Sequence, residues 1–125
     1  MGADKKEKDL EVLVVQFLIP VYDRDGKPYQ RSVQKQIRRD LEERFDGWSL
    51  ASDKPLPGAW RNPASGEVEY DDSWRYEIGI DPSRLDELDE YLGELSHRLR
   101  QKALWRVVYA GGEGKVIVAK APKGE

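Results

Sequence analysis

The residue types best suited to binding or chemistry are concentrated in one stretch, Gly58–Ile80. It contains two tryptophans, two tyrosines, five acidic residues and two arginines around an Asn-Pro-Ala-Ser-Gly turn. Aromatic residues on paired strands stabilise a hairpin through cross-strand contacts, whereas arginine and aspartate can anchor the polar groups of a ligand. We therefore take the following residues as candidates for ligand binding or an interface: Trp60, Arg61, Asp72, Trp74, Arg75 and Tyr76.

The carboxylates of this stretch do not predict acid–base catalysis, which requires two carboxyl groups held close together in different environments. In an extended strand, four of the five acids alternate onto one face together with Arg75, as in a charged surface facing solvent. Asp72 falls instead among aromatic residues on the apolar side, where an unpaired carboxylate is costly. It could bond to backbone N–H groups, pair with Arg61 or line a cavity. We expect a well-formed hairpin here, with at most one corner of a pocket and no catalytic residue.

Composition excludes several kinds of site. The chain has 125 residues and no cysteine, so disulfides, thiolate catalysis and cysteine-based metal sites are excluded. His97 is the only histidine, and we expect it to face solvent on a helix. The Asp-Arg-Asp-Gly and Gly-Gly-Glu-Gly turns match neither a calcium loop nor a phosphate-binding loop. The sequence therefore predicts no metal and no cofactor.

Charge and hydropathy limit the partners and the compartment. The formal net charge of −3 argues against a general nucleic-acid or anionic-membrane binder. The longest apolar run, Leu10–Val21, is far shorter than the roughly 20 residues that span a bilayer, and no small-residue cleavage site follows it. We expect a cytoplasmic protein that does not bind membranes.

The first half of the chain predicts a strand, a helix and the start of a hairpin. Glu11–Val21 is apolar on both faces, as is typical of a central strand. A helix is predicted from about Ser32, as its N-cap, to Phe45, with Gly47 as the stop. Strand-like arms at 48–61 and 67–80 then form one long hairpin. If residue numbers across the arms sum to about 129, Trp60 faces Glu69 and Trp48 lies near Asp81.

The second half predicts a second helix and two strands. Asp81 is a natural N-cap, and Pro82 occupies the first helical position, where the missing N–H costs nothing. The leucine stripe of this helix is spaced three, four, three and four residues apart: Leu85, Leu88, Leu92, Leu95 and Leu99. Strands at 103–110 and 115–120 flank a turn at Gly111–Gly114.

The element order predicts an α+β protein with a ferredoxin-like βαββαβ sandwich and an extra C-terminal strand. Its antiparallel sheet would carry two helices on one face, with the first and third strands central. We expect a single domain at residues 10–120, between solvated tails at 1–9 and 121–125.

The hairpin also carries a resemblance. The pattern G-x-W-x-N-P-x-x-G-E-V at residues 58–68, followed by an aromatic-rich strand and a leucine-rich helix, resembles that of small bacterial ferredoxin-like proteins with no assigned function. The resemblance implies the same fold over most of the chain, and it implies no catalytic residue.

Two hypotheses about function follow. The first is a non-catalytic module that forms a homodimer or binds a protein partner, because the helices leave one partly apolar sheet face uncovered. The second is a small enzyme or ligand binder resembling the dimeric α+β barrel group, in which paired sheets enclose an apolar or aromatic small molecule. The absence of a convincing catalytic pair favours the first hypothesis.

Overall fold

The computed structural model describes residues 12–109 and 113–124, with the backbone alone described at 113–116. The predicted N-terminal tail and the start of the glycine-rich turn lie outside these residues. Six strands and two α-helices follow one another along the chain. They are β1 (Leu13–Pro20), α1 (Arg31–Phe45), β2 (Ser49–Leu50), β3 (Leu56–Arg61), β4 (Val68–Ile80), α2 (Leu85–Arg98), β5 (Ala103–Val108) and β6 (Glu113–Val118).

The strands form one antiparallel sheet in the order β2-β4-β1-β5-β6, with β3 also paired to β4. β1 lies between β4 and β5, and β4 lies between β1 and the β2 and β3 segments, so the first and third predicted strands are central. This α+β arrangement fits a ferredoxin-like fold. β6 begins at Glu113, so the last two residues of the predicted glycine-rich turn belong to a strand.

The predicted hairpin forms, but its first arm is divided into β2 and β3. The β3–β4 register pairs Trp60 with Glu69, as predicted. In the β2–β4 register, however, Ser49 pairs with Glu77, so the prediction that Trp48 lies near Asp81 is wrong. Between the β2–β4 pairing and the β3–β4 pairing, the first arm of the hairpin contains three residues more than β4 does. The extra residues form a loop containing Pro55, which has no N–H to donate to the sheet.

Helix α1 begins at Arg31, so the prediction of Ser32 as its N-cap is wrong. The cap is Gln30, which is extended and makes no side-chain capping bond. A backbone bond from Tyr29 N to Val21 O (3.0 Å) holds the preceding segment against the end of β1, and the helix starts only where this segment is released. The helix ends at Phe45, as predicted, but its left-handed C-cap is Asp46 (φ 67°) and not Gly47.

Helix α2 follows one 3₁₀ turn at Pro82–Arg84, so the prediction that Asp81 caps this helix and that Pro82 is its first residue is wrong. The cap of α2 is Arg84, which makes no side-chain capping bond. Asp81 caps the 3₁₀ turn instead, because its carboxylate accepts a bond from Ser83 N (2.9 Å). The acid-rich first turn and basic last turn of α2 complement the helix dipole. His97 is exposed near the end of the helix, as predicted.

Both helices pack on the same face of the sheet. The core joins alternate residues of β1 (Val15, Phe17 and Ile19) to the apolar stripes of α1 and α2. Four leucines of the predicted α2 stripe are buried, and the fifth, Leu85, packs against the core while partly exposed.

A buried ion pair also lies on this face. Arg106 is 1% exposed and donates two bonds of 2.8 Å to the Asp89 carboxylate. No helix among the described residues is long and apolar enough to cross a membrane.

Candidate functional site

The sheet face that the helices do not cover, here called the open face, is the main candidate for a functional surface. It is formed by the residues that alternate with the core positions in the three strands at the centre of the sheet. They are Val14, Gln16 and Leu18 of β1, Ser73, Arg75 and Glu77 of β4, and Trp105 and Val107 of β5, with Val12 and Tyr109 beside them. β1 therefore presents apolar residues to both faces, as predicted.

Arg75 and Glu77 place two opposite charges at the centre of the open face. Arg75 pairs across the sheet with Leu18, and Glu77 pairs with Gln16. The two side chains point to the same side of β4, separated by one residue, and both are half-buried. The Nε atom of Arg75 is buried and has no hydrogen-bond partner. A buried guanidinium N–H normally has an acceptor, so Arg75 is not committed to an acceptor within the described protein.

Aromatic and aliphatic side chains surround these charges. Trp105 is 45% exposed and Tyr109 is 54% exposed. In the β1–β5 register, Phe17 pairs with Arg106. The neighbouring residues Leu18 and Trp105 therefore lie opposite each other on the open face. Val12 and Val14 are 49% and 36% exposed. The face thus combines accessible rings, apolar contacts and two separated charges.

The structure divides the six predicted site residues between the two faces. Arg75 and Trp60 lie on the open face, with Trp60 far along the hairpin. Asp72, Trp74 and Tyr76 point to the other side, and Arg61 donates a bond to the Gly66 carbonyl within the turn. Trp60 and Trp74 therefore make no cross-strand contact with each other. The ring contacts of Tyr76 are instead with Phe17 and Trp48.

Tyr76 belongs to a network that attaches α1 to the sheet. Its hydroxyl donates to Gln34 and accepts a bond from Arg38 Nε (3.2 Å). Burial raises the pKa of Tyr76 above its ordinary value of 10.0. The Arg38 guanidinium also lies 4.7 Å from the ring centre of Trp48. Because these groups are satisfied and the tyrosine is fully buried, the network has a structural role.

The two adjacent aspartates of β4 point to opposite faces of the sheet, and Asp71 is exposed while Asp72 is half-buried. Asp72 is half-buried on the helix side, but its carboxylate accepts no hydrogen bond from the described residues; opposite it stands Pro57, which has no N–H. Asp71, expected on a solvated face, has an oxygen 3.0 Å from the point that a Cβ on Gly58 would occupy. Loss of hydration, and then the charges of Asp72 and Glu69, raise the pKa of Asp71.

Other parts of the described chain offer weaker candidates. No group of carboxylates and histidine within residues 12–109 and 113–124 is arranged to hold a metal ion. Two surface clefts are lined mainly by charged side chains: one by Asp23, Arg24, Asp25 and Arg100, the other by Glu94, His97, Arg98 and Pro122. Neither cleft contains any of the six predicted site residues.

Gln16, Trp105 and Tyr109 belong to the open face but are not among the six residues predicted from the sequence. A signal for the two aromatic residues was present in the stretch Ala103–Ala110, where large residues alternate and Trp105 is out of phase with the buried Leu104. Their relation to Arg75 depends on the pairing of β5 with β1, which joins residues 89 to 93 positions apart in the sequence.

Comparisons with known proteins bear on the fold. No family model and no curated protein matches the chain. A solved structure of a phage SAM lyase in complex with S-methyl-5′-thioadenosine superposes with a TM-score of 0.66 and 14% identity, over 90% of this chain and 95% of the other. The phage SAM lyase in its apo state gives a TM-score of 0.56 at 14% identity, over 89% and 92% of the two chains. At this identity the similarity shows a shared fold.

Proposed function

We propose that the chain is a small enzyme that binds S-adenosylmethionine on its open face and releases S-methyl-5′-thioadenosine from it. The observation that carries the proposal is the near full-length similarity to the ligand-bound phage SAM lyase. It favours the enzyme hypothesis over the non-catalytic module. We also assign the scaffold as a ferredoxin-like βαββαβ sandwich with two helices on one face, in which β2 and β3 share one strand position and β6 is added.

The groups of the open face suit the chemistry of this ligand. An adenine ring stacks well on an accessible aromatic side chain, and Trp105 supplies one. A sulfonium ion carries a positive charge, which the Glu77 carboxylate would stabilise from its half-buried position. The valines and Leu18 supply apolar contacts for the aliphatic part of the ligand.

The proposed reaction requires no further reactant. The bond between sulfur and the γ-carbon of the amino-acid chain breaks, and sulfur keeps the electron pair. The sulfonium becomes the neutral thioether S-methyl-5′-thioadenosine. The γ-carbon of the four-carbon fragment, which has lost the bonding electron pair, must gain a new bond. Either the carboxylate oxygen of the same fragment bonds to it, or the fragment loses a proton and forms a double bond. The protein has to position the substrate, which side chains on a paired sheet can do.

The experiment is to incubate the purified full chain with S-adenosylmethionine and to quantify S-methyl-5′-thioadenosine by liquid chromatography. We expect release above the rate with heat-inactivated protein. Trp105→Ala should lower this rate at least about tenfold, since it removes the proposed stacking surface. Tyr70→Ala is the matched control, because Tyr70 is 82% exposed on the opposite side of β4. If the unmodified chain neither binds S-adenosylmethionine nor converts it, the proposal is wrong.

Self-association remains part of the proposed function, because the open face exposes several large apolar residues. In a homodimer with facing sheets, each open face would cover a ligand held against the other. A non-catalytic module that uses the same face to bind a protein partner is the second candidate. Absence of turnover together with association through the open face would favour it.

A further inference from the structure

We propose that Arg75 binds the α-carboxylate of the ligand and thereby makes the open face selective for S-adenosylmethionine over S-methyl-5′-thioadenosine. This inference rests on the proposed function and names the residue that recognises the amino-acid portion. S-methyl-5′-thioadenosine has no carboxylate, so the two ligands differ in the group that Arg75 would bind.

Arg75 differs from other arginines that are partly or fully withdrawn from solvent. Those have protein partners: Arg38 bonds to Tyr76, Arg84 to Glu87, and Arg106 to Asp89. Arg75 has a buried Nε without an acceptor, and it forms no ion pair with any carboxylate that the structure describes. The donor fork of a guanidinium matches the two oxygens of a carboxylate. A ligand carboxylate would supply the missing acceptor.

The backbone holds Arg75 in a fixed place. β4 pairs with β1 on one side of this residue, where Leu18 is opposite. On the other side, the Arg75 carbonyl accepts a bond from Ala51 N (3.0 Å). A residue paired on both sides changes its backbone position little when a ligand binds, so the point from which the Arg75 side chain extends over the open face is fixed.

Glu77 would determine the orientation in which a ligand binds next to Arg75. It lies two residues from Arg75 on the same face, about 7 Å along the strand. The pair therefore presents a positive and a negative group at the spacing of one strand repeat. An amino acid also carries a carboxylate and an ammonium group, and in S-adenosylmethionine the sulfonium adds a second cation. The carboxylate would lie on Arg75 and the cationic groups toward Glu77.

The first measurement is calorimetric titration of the full chain with S-adenosylmethionine and with S-methyl-5′-thioadenosine. Arg75→Met should weaken binding of S-adenosylmethionine about 10- to 100-fold, the effect of losing a charged hydrogen bond. It should leave the affinity for S-methyl-5′-thioadenosine within about twofold, since its contacts are unchanged. Arg75→Lys should lie between, because lysine keeps the charge without the fork. Lys35→Glu, on the outer side of α1, is the control.

If the unmodified chain binds S-adenosylmethionine and Arg75→Met weakens both ligands equally, or neither, the assignment of Arg75 is overturned while the proposed function stands. Thermal melting of each variant separates these results from misfolding. If a variant does not fold, the unmodified chain still decides the question through the nitrogen-15 resonance of the Arg75 Nε.

That resonance is followed during titration with L-methionine and with methioninol, which has the ammonium group but no carboxylate. A saturable shift with L-methionine alone supports the carboxylate site, even if neither adenosyl ligand binds and the proposed function fails. No shift with L-methionine overturns the assignment.

Discussion

At the scale of single residues, the most deeply buried charge among the residues that the structure describes is Arg106, which forms an ion pair with Asp89. The pair is bidentate at 2.8 Å, and Arg106 is 1% exposed. Asp89→Asn removes the negative charge and leaves the guanidinium inside the core. We expect a loss of about 3–5 kcal/mol in unfolding free energy, measured by urea denaturation, since the buried guanidinium loses the opposite charge of its ion pair.

The matched control for this prediction is Glu87→Gln, which breaks a solvent-exposed pair with Arg84 on the same helix. Exposed pairs contribute little, so the stability of this variant should stay close to that of the parent. If the two substitutions have similar effects, Asp89 is not the group that compensates Arg106.

Asp71 predicts a pH dependence of stability. Its folded-state pKa is raised from 3.8, chiefly by loss of hydration and then by the neighbouring charges of Asp72 and Glu69. The ionised carboxylate is therefore less favourable in the folded protein than in the unfolded chain. This group favours folding most below pH 3.8, and the contribution is lost as the pH rises through the folded-state pKa.

Asp71→Asn should consequently stabilise the protein at pH 7 by less than about 1 kcal/mol, because solvent screens this exposed side chain. The gain should disappear below pH 3.8, where the carboxyl group is protonated in both states. Chemical denaturation at pH 3 and pH 7 measures the difference. Asp53→Asn, in the exposed loop between β2 and β3, makes the same change of charge, and an equal gain there would contradict the argument.

At the scale of elements, α2 attaches to the sheet through its leucine stripe. Leu92 is fully buried in the core shared with β1 and β4. Leu92→Ala should lower the unfolding free energy by about 2–5 kcal/mol, because it removes buried surface and leaves a cavity. Asp86→Ala, on the exposed side of the same helix, should cost less than about 1 kcal/mol, because it removes only one favourable charge from the first turn. A loss below about 0.5 kcal/mol in Leu92→Ala would show that the helix does not pack there.

Periodicity predicted elements well where burial follows a single regular pattern. The stripe of α2 and the two faces of β1 are set by local spacing, and the structure confirms both. The hairpin register was correct at Trp60 and wrong at Trp48, because alternation cannot show how many residues a loop removes from a strand. Likewise, capping preference selected Ser32, but the backbone bond at Tyr29 decides where α1 begins.

The sequence predicts only part of the candidate site, because the rest depends on how the strands pair and pack. Arg75 was selected from its residue type, but its unsatisfied Nε is a property of the packed sheet. Trp105 and Gln16 reach the same face only through pairing of strands that are distant in sequence, which composition does not indicate. Arg61, selected beside Arg75, is used within its own turn.

At the scale of the whole molecule, the uncovered sheet face predicts association. Two helices cover one side of the sheet, while Val12, Val14 and Trp105 remain exposed on the other. The open face mixes such residues with Arg75 and Glu77, a composition found in interfaces between proteins. We therefore expect a homodimer, formed by packing of the open faces or by pairing of hairpin edges, with two-fold symmetry as the simplest arrangement.

Light scattering at micromolar concentration should give about twice the chain mass of 14.4 kDa. Val14→Glu should restore the monomer mass if the open faces form the contact, because it places a charge in an apolar interface. Lys35→Glu, on the outer side of α1, should leave the dimer intact. A dimer that survives Val14→Glu would point to the hairpin edges, where β3 has one unpaired side. A monomer at every concentration would contradict the prediction and leave the open face to the ligand or to another protein.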